Sequence, residues 1–205
     1  VNVTSDPFPH LVVEGWWSAE LLQAVLAEFP DPAAPGWKRY DGDRERKLEG
    51  AQRLWGPRTW DLLDEIRQRG PELAEAFGLP DLHMETVGGG YHLIEPGGLL
   101  DVHYDFNRSP RTGRFRRLNL LVYLNEDWQD PGGHLELWDA EKRVVDIAPE
   151  FNRTAVFATS DRSWHGHPHP AQRVRRSVAA YFYTREPPPD YVGDHSTVWH
   201  AGASS

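Results

Sequence analysis

The chain has 205 residues, no cysteine and a formal net charge of −9. The lack of cysteine excludes disulfides, thiolate metal sites and cysteine nucleophiles, so any metal must rest on His, Asp or Glu, donors suited to harder or borderline ions. The acidic balance argues against nucleic acid as a partner, since a phosphate-binding surface needs excess Lys and Arg, and no apolar run approaches the length of a membrane span.

The length fits one domain. The opening VNVTSDPFPH has neither a basic n-region nor an apolar h-region, so the expected location is the cytoplasm. A first helix is expected over SAELLQAVLAEF, which puts Leu21, Leu22, Val25, Leu26 and Phe29 on one face behind the N-cap Ser18. Residues 36–54 are polar and charged without a period and are expected to be a loop, with two readings left open: a rim or lid over a site, or a plain surface loop. GPRTWDLLDEIRQRG predicts a second helix, with Pro57 in its first turn and Gly70 at its exit, and PELAEAFG a short third one.

From about residue 82 the character changes. HMETV, YHLIE, LLDVHYDF, LNLLVYLN, HLELWD, RVVDIAP, TAVFATS and VRRSVAAYFYT are short apolar or alternating runs separated by Gly and Pro. Many short strands with turn signals, and no alternation with helices, predict an antiparallel sandwich or jelly roll. The expected fold is therefore α+β: a helical part over about 1–80, a jelly-roll core over about 82–184, and an irregular tail over 185–205.

Three places carry possible chemistry. In LLDVHYDFN, His103 and Asp105 stand two apart on an expected strand and so share a face. An imidazole and a carboxylate side by side hold two positions on one metal ion, and a second histidine would complete a facial triad of two His and one carboxylate. SDRSWHGHPHP follows an apolar strand and offers His165, with His167 and His169 each before a proline. On VRRSVAAYFYT, Arg175, Ser177, Ala179 and Tyr181 share one face and Arg176, Val178, Ala180 and Phe182 the other. An inward arginine on such a strand needs an anion, and the pattern leaves open which face is inward.

Taken in order, H-x-D, RRLNLLVYLNEDW, GGHLELWD, IAPEFNRTAVFATSDRSWHGHP and RRSVAAYFYT resemble the Fe(II)- and 2-oxoglutarate-dependent dioxygenases, closest to their prolyl-4-hydroxylase-like branch, over Tyr91 to Thr184. The resemblance implies a double-stranded β-helix (jelly-roll) core braced by N-terminal helices. It implies Fe(II), 2-oxoglutarate and O2 as cofactor and co-substrates, and an oxygenase that releases succinate and CO2. By position it makes His103, Asp105 and His165 the metal ligands, with His167 as the substitute for His165. It makes Arg175 the partner of the far 2-oxoglutarate carboxylate, with Arg176 as substitute, and Tyr123, Tyr91 and Asn119 further contacts to that co-substrate. The carboxylate of Asp105 matches hydroxylases rather than the halogenating relatives that lack it.

For the substrate, Asn107, Arg117 and Trp164 are the expected residues at the mouth. So compact a chain points to hydroxylation, or oxidative ring closure, of a small molecule such as an amino acid, sugar or natural-product intermediate. A protein prolyl hydroxylase is the alternative within the class, and a cupin-like metal-binding jelly roll without oxygenase activity the alternative outside it. The latter would have no need for an inward Arg175.

Overall fold

The computed structural model of the chain describes residues 2–201. Its elements run β1 (His10–Glu14), α1 (Ala19–Glu28), β2 (Trp37–Asp41), β3 (Arg46–Gly50), α2 (Pro57–Gln68), α3 (Gly70–Phe77), β4 (His83–Ile94), β5 (Leu100–Tyr104), β6 (Phe115–Tyr123), β7 (Leu135–Trp138), β8 (Arg143–Ile147), β9 (Arg153–Ala158), β10 (Trp164–His167), β11 (Arg175–Thr184) and β12 (Val198–Trp199).

The helices start and stop for identifiable reasons. Ser18 Oγ accepts the Leu21 amide hydrogen at 3.3 Å and caps α1. Pro57 opens α2, and the free amides of Arg58 and Thr59 donate to the Glu28 carboxylate, at the end of α1, at 3.0 and 3.1 Å. Gly70 begins α3 instead of ending α2, because Arg69 keeps near-helical angles between the two. Gly78, at φ 62, ends α3 in the left-handed region that glycine tolerates.

The strands form two antiparallel sheets, β1-β9-β6-β11-β4-β3-β2 and β12-β5-β10-β7-β8, the layers of a jelly roll. Alternation along β6 builds both faces of the larger sheet. Leu118, Leu120 and Val122 join Val178 and Phe182 of β11 and the apolar stripes of the helices in one core. Tyr123 turns the other way and packs with Leu135, Leu137 and Phe157 between the sheets. The helices thus brace the outer face, and the inner face is left to line a pocket.

Three segments depart from expectation. Residues 36–54 are not a loop: β2 and β3 pair as a hairpin, and β3 adds to β4 at the edge of the larger sheet. Strands at an edge keep polar side chains on both faces, so no period shows in the sequence; only Leu48 and Gly50 of the two strands are buried. The first residues pair with β9 as β1. In the tail, β12 pairs with β5 and sets Trp199 opposite His103. No helix of the described residues is long and apolar enough to cross a membrane.

Candidate metal centre and its pocket

β5 and β10 run side by side with His103 opposite His165. Gly166 makes the close approach possible: a Cβ there would lie 2.7 Å from the Leu100 carbonyl oxygen and 2.8 Å from that of Asp101. His103 Nδ1 lies 2.8 Å from the Asp101 carbonyl oxygen and His165 Nδ1 2.8 Å from that of Ser163. A carbonyl only accepts, so both Nδ1 atoms carry the proton and both Nε2 lone pairs are left free for a ligand. Asp105 completes the group, with Oδ1 3.7 Å from His103 Nε2 and Oδ2 3.4 Å from His165 Nε2. One donor atom from each of the three residues lies within 4.8 Å of the others, the one such group among the described residues. Two imidazoles and a carboxylate on one wall suit a divalent ion such as Fe(II) and leave its far side open.

Asp105 is held from behind. Asn119 Nδ2 donates to its Oδ2 at 2.8 Å, and Arg116 Nη2 lies 3.2 Å from the same oxygen. Arg116 in turn donates from Nε to Asn119 Oδ1 at 2.8 Å and lies over the Tyr181 ring at 3.8 Å. Burial raises the Asp105 pKa, but the Arg116 charge and the two imidazoles outweigh it and hold the carboxyl well below the usual carboxylate range. Burial, and then the neighbouring His165, lowers the His103 pKa, so that ring favours the neutral form beside the Asp105 anion.

Deeper in the same pocket stands Arg175, 3% exposed. Its partners are neutral: Nε donates to the Gly133 carbonyl at 2.8 Å and Nη2 to the Tyr123 hydroxyl at 3.4 Å, with the Tyr123 ring 5.0 Å from the guanidinium. Burial lowers the Arg175 pKa, and a buried cation with neutral partners is costly until an anion arrives. Ser177 Oγ, on the same face of β11, is buried without a partner. Arg176 points to the helical side, over Phe29, which settles the face of β11.

The structure thus brings His103, Asp105, His165, Asn119 and Arg175 to one pocket, with Tyr123 against Arg175. Both ends of the Asn119 amide are taken up by Asp105 and Arg116, so it meets Asp105 and not a free co-substrate position. Four other expectations are corrected. Tyr91 faces the helices, fully buried, and its hydroxyl bonds Thr59 Oγ1; alternation on β4 gives the pocket to His92 and Ile94 instead. Arg117 points away, toward Thr184 Oγ1 at 3.4 Å, and its neighbour Arg116 enters. The cause is a bulge: Phe182 pairs with Leu118 and Tyr183 with Arg116, so Arg117 is an extra residue that reverses the alternation. Asn107 clamps the tail, donating to the Gly193 carbonyl at 2.9 Å and accepting from His195 N at 3.2 Å. Trp164 packs edge-on against Tyr104 and His200, with ring centres 4.5 and 4.9 Å away, and does not line the pocket. Sequence reasoning also missed Arg116, His92 and Lys47, and it named His167 only as the substitute for His165; His167 is 4% exposed and lines the pocket.

An outer cavity of about 400 Å3 opens onto the centre, walled by Tyr40 and Glu49 of the hairpin, Tyr181, and Trp199 of the tail. Arg44, in the hairpin turn, donates from Nη1 to the His200 carbonyl at 3.4 Å and ties hairpin to tail.

Residues 89–183 match the family described as the 2OG-Fe(II) oxygenase superfamily. A search of curated protein sequences returned no match. Among solved structures, a Pseudomonas putida prolyl-4-hydroxylase superposes with a TM-score of 0.68 at 22% identity, covering 86% of this chain and 93% of that one. A Trichoplax adhaerens prolyl hydroxylase, solved with a hypoxia inducible factor oxygen degradation domain peptide fragment, gives 0.60 at 18% identity over 85% and 83%. The viral collagen prolyl hydroxylase of Paramecium Bursaria Chlorella virus-1, solved as its 2OG complex, gives 0.60 at 14% over 88% and 99%. At these identities the likeness is one of fold.

Proposed function

From the match of residues 89–183 to the 2OG-Fe(II) oxygenase superfamily, we propose that this chain is one of its enzymes, that His103, Asp105 and His165 hold Fe(II), that Arg175 and Tyr123 hold the far carboxylate of 2-oxoglutarate, and that the enzyme oxidises a C–H bond of a small molecule. The observation that carries this reading is the pairing, in one pocket, of a two-imidazole, one-carboxylate group with a buried arginine whose partners are neutral. When bound, iron and 2-oxoglutarate supply O2-driven C–H oxidation, with release of succinate and CO2.

The chain's own residues bind and orient. The carbonyls of Asp101 and Ser163 fix the two imidazoles with Nε2 toward the ion. Asn119 and Arg116 keep Asp105 ionised and turned to the same point. The fork of Arg175 suits a carboxylate, with the Tyr123 hydroxyl beside it and Ser177 Oγ free on the same wall.

Substrate size follows from the outer cavity. Its volume of about 400 Å3 falls in the range of small-ligand pockets, with hairpin residues Tyr40 and Glu49 and tail residue Trp199 among its walls. An amino acid, a sugar or a natural-product intermediate fits such a space. A second reading, hydroxylation of a prolyl side chain in a protein, draws on the fold shared with prolyl hydroxylases.

The test is conversion of 2-oxoglutarate to succinate with Fe(II) and O2. Wild type is expected to turn over and His103→Ala and Asp105→Ala to lose at least a hundredfold. Variants as fast as wild type would reject the ligand assignment. A gain of one oxygen on members of a peptide array, and on no small metabolite, would favour the second reading.

A further inference from the structure

Within the inner pocket, His167 has no part in the function proposed above. His167 is 4% exposed, lines the pocket, and its Nδ1 is buried without a hydrogen-bond partner. Leaving such an atom unpaired is costly, so its presence points to a ligand atom that meets it.

The register says where that atom lies. His165 pairs with Leu137 of β7 and Gly166 with Glu136. His167 is the next residue along β10; the pairing with β5 shifts by one residue between His165 and His167, and both side chains line the same pocket. Two residues of strand advance about 6.6 Å, so His167 stands that far beyond the ligand histidine. The direction is toward Gly133, just before β7, whose carbonyl receives Arg175 Nε at 2.8 Å. His167 therefore lies between the metal centre and Arg175, on the smaller sheet, while Arg175 and Tyr123 come from the larger one. Fully extended, a five-carbon dicarboxylate held at one end by the ion spans about this distance.

We propose that His167 is a positioning residue for the far carboxylate of 2-oxoglutarate: its Nδ1–H donates to one carboxylate oxygen while Arg175 and Tyr123 hold the group from the opposite sheet. His167 then selects for a ligand that carries an oxygen acceptor at that depth. This rests on the function proposed above.

The test is calorimetric titration of Mn(II)-loaded protein without O2, using 2-oxoglutarate and 2-oxobutyrate, which keeps the oxo-acid end and lacks the far carboxylate. His167→Val is expected to weaken 2-oxoglutarate about tenfold, to leave 2-oxobutyrate and Mn(II) affinities within twofold, and His167→Gln to recover part of the loss. The inference is overturned if His167→Val binds 2-oxoglutarate like wild type, or weakens both oxo acids or Mn(II) alike, as a merely structural residue would. Failure of wild type to bind 2-oxoglutarate overturns this inference together with the proposed function, whereas a wild type that binds and an indifferent variant overturn this inference alone.

Discussion

Arg116 decides the charge of the centre. It sits 3.2 Å from Asp105 Oδ2, and burial of an ion pair makes the loss of one member expensive. Arg116→Leu should leave Asp105 a weaker ligand and lower Mn(II) affinity by roughly 10–100-fold, the usual scale for groups that orient metal ligands; an unchanged titration by electron paramagnetic resonance would contradict this role. His92 makes a prediction in pH. Its Nε2 lies 2.9 Å from the Gly88 carbonyl, and burial, then the Lys47 charge, push its pKa down from 6.5 to about 4. Between those values the unfolded chain binds a proton that the folded chain refuses. Stability from this group is therefore complete above about pH 6.5 and falls as pH drops toward 4. The metal-free protein should lose on the order of 2 kcal/mol across that window, and His92→Gln should flatten the fall in Tm. Parallel profiles for the two proteins would reject it.

At the scale of elements, the site depends on how closely β10 approaches β5. Gly166→Ala forces a Cβ to 2.7 Å from the Leu100 oxygen. It should cost roughly 1–3 kcal/mol and, by moving His165 from His103, weaken Mn(II) at least tenfold with the circular dichroism spectrum retained; full Mn(II) affinity would show that the strands have room to spare. Glu28 caps a helix other than its own. Glu28→Ala frees the Arg58 and Thr59 amides and should cost about 1 kcal/mol in chemical denaturation. What was legible in the sequence follows this division. Helices with an apolar stripe and strands with apolar runs declare themselves by period, and H-x-D shares a face by strand geometry alone. The hairpin of β2 and β3 carries no period because it lies at an edge. That Arg116 rather than Arg117 enters the pocket depends on the bulge in β6, which only the partner strand defines. Tyr91 was misjudged because the face of β4 is set by the helices behind it.

Across the whole molecule, the helices brace one face of the larger sheet and leave the other to the pocket, while hairpin and tail both wall the outer cavity and are tied to each other by Arg44. Arg44→Ala removes their link at the His200 carbonyl and should raise the KM for substrate more than it lowers kcat, since the tie touches no ligand; a drop in kcat alone would contradict a bounding role. In the proposed site one pocket holds the ion at His103, Asp105 and His165 and an oxo-dicarboxylate between that ion and Arg175. The most direct measurement is a crystal structure of the protein with Mn(II) and 2-oxoglutarate prepared without O2. The ion is expected on His103 Nε2, Asp105 and His165 Nε2, and the far carboxylate on the Arg175 fork. An ion held elsewhere in the pocket, or a carboxylate turned away from Arg175, would contradict it.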